Sequence, residues 1–518
     1  MTRPVVTVGD LLDGIELVCL QGDRSTPVTG IACDTRRLGS GAVFVALTGG
    51  SLDGHAFLSE ARQRGAAAVV TTRPVDVDVA VRIQVADARE ALARMSSRFW
   101  GHPSRAMNLV GITGTNGKTT LTYLLEHILR AAGREAGVIG TVDARYAGKR
   151  EQSPHTTPQA PELQALLARM HGAGVDTVCM EVSSHALELQ RCRACHFRLG
   201  VFTNLSRDHL DFHGDLSRYA AAKRLLFSRE LVESEAADKA AVLNGDDAAA
   251  DGMIDGWNGA VLRYGTSRSF EIHPRGEADS SLRGVRAEVA FPGGSLRVAS
   301  PLPGRHNLEN LLAAVAVSRA LAIDPEAIES GLQACRRVPG RLERVEAPAA
   351  GEAPAVFVDY AHTDHALRNV LAALRPLTLG HLIAVFGCGG DRDRGKRPLM
   401  GAAVARGADL AIVTSDNPRS EDPLSIVDSI LPGLDGEGWQ RVEPDRLAAA
   451  GRAAYSVLMD RREAIRCAIA MAGADDVVLV AGKGHEDYQI VGSERRHFDD
   501  REEVRRALEA EWSERGQR

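Results

Sequence analysis

The stretch Gly111-Ile112-Thr113-Gly114-Thr115-Asn116-Gly117-Lys118-Thr119-Thr120 constrains this chain more than any other. The apolar run Leu109-Val110-Gly111-Ile112 before it reads as a buried strand, and Lys118 to about Ala132 reads as a helix. A strand, a glycine turn, a lysine and a hydroxyl opening a helix form a cradle for the phosphates of a nucleotide, because backbone N–H groups converge at the helix N-terminus. Gly114, Thr115, Asn116 and Gly117 supply the loop, and Lys118 supplies a point charge for the β- and γ-phosphates. Thr119, followed by Thr120, places a hydroxyl for Mg²⁺. A strict phosphate-loop pattern has Gly where Ile112 stands, so this loop is a variant. A nucleoside triphosphate is the expected ligand.

At 518 residues the chain has room for roughly three or four domains. With 44% apolar and 25% charged residues it has the composition of an ordinary α/β protein. A net charge of -6 gives no reason to expect a nucleic-acid partner. No apolar run approaches the ~18 residues of a membrane span. Asp10, Asp13 and Glu16 interrupt any signal-peptide core, so a cytoplasmic location is expected. The spacing Cys192-Arg193-Ala194-Cys195-His196 matches c-type haem attachment, but that needs export, and a chance spacing of reduced core thiols is the expectation.

Three domains are expected, at 1–105, 106–339 and 340–518. The first reads as a small α/β unit with strands near Ala42–Leu47 and Ala66–Val70 around a helix from about Ala56. In it, Asp34 and Arg36 are either a salt bridge or a ligand contact. The second contains the phosphate loop on a parallel sheet. Its strand Val175–Val182 carries Glu181 near the end, where an acid can hold Mg²⁺. A second strand, Val201-Phe202-Thr203, runs into Asn204-Leu205-Ser206-Arg207-Asp208-His209-Leu210-Asp211, where His209, Asp208 and Asp211 offer metal donors. Lys223 lies among alanines on a helix from about Ser217, and pattern alone favours a solvent-facing or snorkelling side chain. Asn307 and Asn310 are spaced to share a helix face.

The third domain alternates strands at Val356–Asp359, Leu382–Phe386, Leu410–Val413 and Val477–Ala481 with helical segments, a doubly wound, Rossmann-like sheet. Polar clusters follow each strand: Asp359-Tyr360-Ala361-His362, Gly387-Cys388-Gly389-Gly390-Asp391-Arg392, Ser415-Asp416-Asn417-Pro418-Arg419 and Gly482-Lys483-Gly484-His485-Glu486. Four such clusters at four strand ends describe a site on a sheet edge. Alanine-rich patches near 235–250 and 447–454 read as helices or surface linkers.

In their order along the chain these clusters, with Glu181-Val182-Ser183-Ser184-His185 and Gly304-Arg305-His306-Asn307, resemble the Mur ligases, ATP-dependent amide-forming enzymes of peptidoglycan synthesis. The resemblance covers nearly the whole chain. It implies an amino-terminal domain for a UDP-sugar, a central ATPase and a carboxy-terminal domain for the incoming amino acid, with small-molecule substrates and a monomer as the expectation. It implies Glu181 and His209 as Mg²⁺ ligands, and Lys223 as a carbamylated lysine supporting a second metal, which reverses the pattern reading of that residue. Lys118, Glu181, His209 and Lys223 then form the catalytic set. Cys33, Thr35, His155, Thr156, Thr157, Ser183 and Arg191 match contacts to a UDP-muramoyl dipeptide, and Asn307, Arg341 and Asp359 match residues that close the third domain onto ATP.

The tetrapeptide Asp416-Asn417-Pro418-Arg419 resembles the signature of family members that add meso-2,6-diaminopimelate, and Arg392, Gly482 and Glu486 match the rest of that pocket. The charge logic agrees independently: a guanidinium presents a planar fork to the extra carboxylate and repels the ammonium end of lysine. Leaving a buried Arg unpaired costs about 1–3 kcal/mol, which sets selectivity at about tenfold or more. The chain departs from the family pattern at His155 (commonly Asn), at Leu189-Gln190 (Gln one place earlier) and at Asp364-His365 (commonly Pro-Asp). The alternatives are the L-lysine-adding form and a nucleotide-gated protein without catalysis, which would be expected to lack Lys118, Glu181, His209 or Lys223.

Overall fold

The computed structural model describes residues 5–49, 52–152, 155–347 and 353–515, with side chains described as far as Glu511. The chain divides into two compact units. One comprises Met1–His273, Ala290–Gly294 and Leu312–Gly331, and the other Pro274–Val289, Ser295–Leu311 and Leu332–Arg518.

The first unit is built on two principal sheets, with Val6–Thr7 and Pro27–Val28 pairing apart from them. The smaller is ordered Leu17–Gln21, Val81–Val85, Ala68–Thr71, Val43–Val45, Ile31–Ala32, parallel except for its first pair. Alternation decides its layers. Val43, Val45 and Val70 face Leu11, Leu92 and Met95 on one side, while Phe44 and Val69 face Leu58 and Ala61 on the other. The helix expected from Ala56 begins as a tight turn, Gly54–Phe57, before Leu58–Gln63.

The larger sheet has eight strands ordered Lys149–Glu151, Ala144–Tyr146, Ala136–Ile139, Thr177–Glu181, Asn108–Thr113, Phe197–Phe202, Ala240–Asn244, Ala260–Tyr264. The phosphate-loop strand Asn108–Thr113 is flanked on both sides by parallel neighbours. Glu181 pairs with Ile112 and Phe202 with Thr113, so three strands end at one level and their loops emerge together. Two features differ from the sequence expectation. The sheet is mixed, because an antiparallel hairpin closes one edge through Ala147 and Gly148, both at positive φ, which suits a two-residue turn. The alanine-rich patch near 235–250 is not only helix or linker, since Ala240–Asn244 is an interior strand. Alanine says little about helix or strand once neighbours bury it.

The second unit is built on seven strands ordered Glu343–Val345, Ala355–Asp359, Val477–Ala481, Leu382–Phe386, Leu410–Val413, Ala454–Val457, Gln440–Arg441, parallel except at the Glu343–Val345 edge. The four expected strands are all present. The fifth parallel strand, Ala454–Val457, starts at the end of the second alanine-rich patch, of which only Leu447–Ala450 is helical. Phe357, Ala384, Phe386 and Leu479 pack with Leu367, Leu371, Met400 and Val404 on one face. Val356, Ile383, Val385 and Val480 pack with Ile465, Ile469, Val504 and Leu508 on the other. Helices on both faces explain why these strands read as continuous apolar runs. A separate hairpin pairs Tyr488–Val491 with Glu494–His497.

Two helices, Arg461–Met471 and Asp500–Arg515, are joined by a wholly buried ion pair in which Arg461 Nε and Nη2 donate to the two Asp500 oxygens, each at 2.7 Å. Removing one partner would leave the other charge uncompensated. Asp500→Ala is therefore expected to destabilise this helix pair by about 3–5 kcal/mol, measured as the opening free energy of the Arg461–Met471 amides in native-state hydrogen exchange. A loss below about 1 kcal/mol, the level of an exposed pair, would contradict it.

Candidate functional site

The loop Gly114–Gly117 is held by the loop after the next strand. Thr115 N–H donates to Asn204 O (2.8 Å) and Asn116 N–H to Asn204 Oδ1 (2.9 Å). Thr203 Oγ1 donates to Asn116 O (2.7 Å), and Ser206 N–H to Thr115 Oγ1 (3.0 Å). Gly114 has φ 145, and a Cβ there would collide with Thr203 Oγ1. Gly117 has φ 86 and leads into the helix Lys118–Ala131, on which Thr119 and Thr120 are buried.

Two lysines meet at this loop. Lys118 Nζ donates to Gly114 O and Thr115 O, both at 2.8 Å, and Lys223 Nζ donates to the same Gly114 O at 2.8 Å. Lys223 is 1% exposed and its ammonium lies 4.1 Å from the Tyr219 ring centre. The solvent-facing reading from pattern is thus corrected: the helix Leu216–Leu225 turns this residue inward, among Tyr219 and Ala222. Burial, with the Lys118 charge adding to it, pushes the Lys223 amine well below its usual value. Burial therefore favours the uncharged amine, the form that reacts with CO₂.

Glu181, 1% exposed, accepts from the Thr141 N–H and hydroxyl, each at 3.0 Å. Thr141 Oγ1 also lies 3.1 Å from Thr156 Oγ1. Thr157 Oγ1 donates to Glu181 O (2.8 Å), Ser183 N–H donates to Thr157 Oγ1 (3.1 Å), and Arg191 donates to Thr157 O (3.1 Å). Thr156, Thr157, Ser183 and Arg191 thus form one knot at the end of the Glu181 strand. Arg191 Nε is buried there with no hydrogen-bond partner among the described residues.

His209 sits at φ 52, half exposed, with Nε2 3.5 Å from Asp208 and its ring 5.0 Å from that of His185. Burial is the main cause holding its pKa down, with Lys118 and Lys223 adding and Asp208 opposing, which favours the neutral ring, the form that ligates. Asp211 is exposed. Among the described residues no three His, Cys, Asp or Glu side chains converge as a metal site. Mg²⁺ is held through few protein oxygens, with water and phosphate completing its shell, so the Thr119 hydroxyl and the Glu181 carboxylate fit it chemically, while the His209 imidazole is a softer donor than this hard cation usually takes.

Cys33, Thr35 and His155 line a cavity of about 1100 Å³ in the first unit. The sequence reading missed its other polar walls, Arg37, Arg89, Glu162 and Arg169, which no motif marks. Asp34 and Arg36 line it too and are bridged at 2.6 Å, as the salt-bridge reading of that pair expects. Leu189 lines the same cavity, while Gln190 turns away at φ 55 and donates to Asp87 at 2.6 Å. Cys192 and Cys195 are buried in the core, where burial raises both thiols.

In the second unit, Asn307 Nδ2 donates to Pro303 O (2.7 Å) and its Oδ1 accepts from Asn310 (3.0 Å), the expected shared face. The Arg341 guanidinium lies 5.0 Å from the Tyr360 ring centre. Asp359 accepts from Leu342 N–H (2.6 Å) and Ala361 N–H (2.8 Å), and burial raises its pKa against the pull of Arg341.

Asn417 Nδ2 donates to Glu486 Oε2 (2.9 Å), and burial, with Asp416 nearby, raises the Glu486 pKa. Arg419 donates to Gly390 O (2.7 Å), and a Cβ on Gly389 would lie 2.9 Å from its guanidinium. Gly482, at φ 121, leaves room for the Asp416 carboxylate, and Pro418 O packs on Gly390. Arg392 is exposed on the same glycine turn, donating to Asp391 O (3.1 Å). Lys483, quoted in the motif but given no role, proves to be wholly buried among these residues.

Residues 27–100 match the model of the Mur ligase family catalytic domain, 112–318 the Mur ligase middle domain, and 340–484 the Mur ligase glutamate ligase domain. The chain is 43% identical over 96% of its length to UDP-N-acetylmuramoyl-L-alanyl-D-glutamate--2,6-diaminopimelate ligase of Geobacter sulfurreducens, covering 97% of that protein. The chain belongs to the Mur ligase family. A Mur ligase of the same description from Bacillus cereus is 40% identical over 93% of the chain and 94% of its own length. A solved ligase of that description superposes with a TM-score of 0.68 at 34% identity, covering 98% of this chain and 99% of the other. The Mur ligase MurF of Thermotoga maritima, solved with ADP, shares the fold at 20% identity, with a TM-score of 0.60 over 94% of this chain and 99% of its own.

Gly114→Ala is expected to weaken ATP binding by about tenfold or more, since a forbidden φ alone costs on the order of 1–3 kcal/mol. Calorimetric titration with ATP, alongside circular dichroism to confirm the fold, would test this. Unchanged affinity would show that the Gly114–Thr203 contact does not shape the phosphate loop.

Proposed function

We propose that this Mur ligase joins meso-2,6-diaminopimelate to the D-glutamyl γ-carboxylate of UDP-N-acetylmuramoyl-L-alanyl-D-glutamate, with ATP as co-substrate, in peptidoglycan synthesis. The observation that carries the reading is the Asp416–Arg419 loop bonded to Gly482–Glu486 across the intervening strand Leu382–Phe386, in a chain whose relatives bear that name over nearly their full length. Residues 1–105 take the UDP-sugar, 106–339 the nucleotide and 340–518 the amino acid.

A carboxylate acylates poorly until one oxygen becomes a phosphate leaving group. The D-glutamyl carboxylate attacks the γ-phosphorus of ATP, forming an acyl phosphate and releasing ADP. The amine of diaminopimelate then attacks the acyl carbon, and phosphate departs as the amide forms. Two anions must meet in the first step, so cationic groups aimed at the phosphates do most of the work. Lys118 leaves its loop carbonyls for the β- and γ-phosphates, and Gly114–Thr120 with Asn307, Arg341 and Asp359 bind ATP. Mg²⁺ held by Thr119, Glu181 and His209 would neutralise phosphate charge, with Lys223 contributing as its carbamate.

Cys33, Thr35, His155, Thr156, Thr157, Ser183 and Arg191 hold the UDP-muramoyl dipeptide. Arg392, Asp416, Asn417, Pro418, Arg419, Gly482 and Glu486 hold diaminopimelate. No helix among the described residues is long and apolar enough to cross a membrane. The eight cysteines are free, which suits a reducing cytoplasm. One copy of the chain carries every group this chemistry uses, so a monomer suffices.

ATP-dependent phosphate release with UDP-N-acetylmuramoyl-L-alanyl-D-glutamate should require meso-diaminopimelate, with L-lysine at least about tenfold poorer in kcat/KM. Equal use of both would remove Arg419 from the selectivity argument, and silence with both would overturn the ligase assignment. Lys223→Ala should lose activity and regain part of it with short-chain carboxylates. A fully active Lys223→Ala enzyme would exclude the carbamate.

A further inference from the structure

Lys483 is wholly buried, at 0% exposure, on the turn after the strand Val477–Ala481. Its ammonium donates to Asn417 Oδ1 (2.9 Å) and to Tyr488 O (2.6 Å), and lies 3.7 Å from Asp416 Oδ1. Ile490 N–H also donates to Asn417 Oδ1, at 3.0 Å. Two donors aimed at one atom settle which end of the Asn417 amide is oxygen, a choice an amide otherwise leaves open. The Nδ2 end is thereby turned to Glu486.

The same ammonium ties the Asp416–Arg419 loop to the Gly482–Glu486 turn and the Tyr488–Val491 strand that closely follows it, a stretch distant from that loop in sequence. Arg419 depends on that strand as well, since its N–H donates to Ile490 O (3.1 Å) and its O accepts from Gly492 N–H (2.7 Å). Arg419 itself is held at φ 52, a conformation a non-glycine residue keeps only when its surroundings impose it. Burying an ammonium is costly unless it is fully bonded, and here one bond goes to Asn417 of the amino-acid pocket and the other to the Tyr488 carbonyl.

We infer that Lys483 is a positioning residue for the incoming amino acid, fixing the Asn417 amide and the Arg419 loop without touching substrate. The inference rests on the assignment of Asn417, Arg419 and Glu486 to that pocket. It predicts an effect on one substrate of three, transmitted through Asn417, where a merely structural lysine would act on all three.

The test is a double-mutant cycle in the full-length enzyme with Lys483→Met, Asn417→Ala and both together, measuring KM for each substrate and kcat. Lys483→Met should raise KM for meso-diaminopimelate by about tenfold or more, leave KM for ATP and for the UDP-muramoyl dipeptide within about twofold, and narrow the preference over lysine. The double variant should be no worse than Asn417→Ala alone, because the lysine acts through that amide. Additive losses, an equal rise in all three KM values, or an unchanged KM for diaminopimelate would each overturn the inference. If Lys483→Met does not fold, Lys483→Gln, which keeps a donor without the charge, goes through the same cycle. Failure of both to fold would overturn it by making Lys483 a requirement of the fold. Wild-type enzyme inactive with diaminopimelate would instead refute the substrate assignment, a separate result.

Discussion

The carbonyl oxygen of Gly114 receives two lysines, and the chemistry of the first unit turns on that meeting. Two ammonium groups on one acceptor repel each other, and burial adds to the penalty on Lys223. The arrangement holds because parallel register brings the ends of Asn108–Thr113, Thr177–Glu181 and Phe197–Phe202 to one level, where Thr203, Asn204 and Ser206 tie the phosphate loop down. A site prepared in this way is short of negative charge. It suits a polyanion, and burial there disfavours the charged form of Lys223.

The walls of the 1100 Å³ cavity come from both sheets of the first unit, so its shape depends on how they are clasped. Arg37 bonds Glu162 at 2.6 Å, Gln190 bonds Asp87, and Arg193 reaches Glu90 and Glu233. Individually such pairs contribute little stability. Together they set the distance between a sheet that offers Cys33 and Thr35 and one that offers His155.

In the second unit, too, charge is buried. Arg461 with Asp500, and Lys483 with Asn417 and Tyr488, lie beneath the strand ends rather than in solvent. Apolar replacements could stabilise such a core as well or better, so the use of buried ions here is for geometry: each has fixed bonds and therefore fixes what it bonds. Glycine does the complementary work, since Gly482 and Gly389 allow Asp416 and Arg419 to approach closer than any side chain would permit.

The sequence by itself determined the layered α/β architecture, the phosphate loop and the polar clusters after the strands, because alternation of burial and strand-end chemistry are local signals. It also determined the chemical preference of Arg419 for a carboxylate. It misjudged Ala240–Asn244, where alanine gives no period and the sheet decides, and it did not read the strand Ala454–Val457. Thr141, Arg37 and Arg89 were invisible, since each gains its role from a partner distant in the chain. The inward turn of Lys223 and the buried bonds of Lys483 were likewise decided by tertiary structure alone. A lysine reads the same in sequence whether it faces water or a buried carbonyl, and only the packing around it sets its charge and its use.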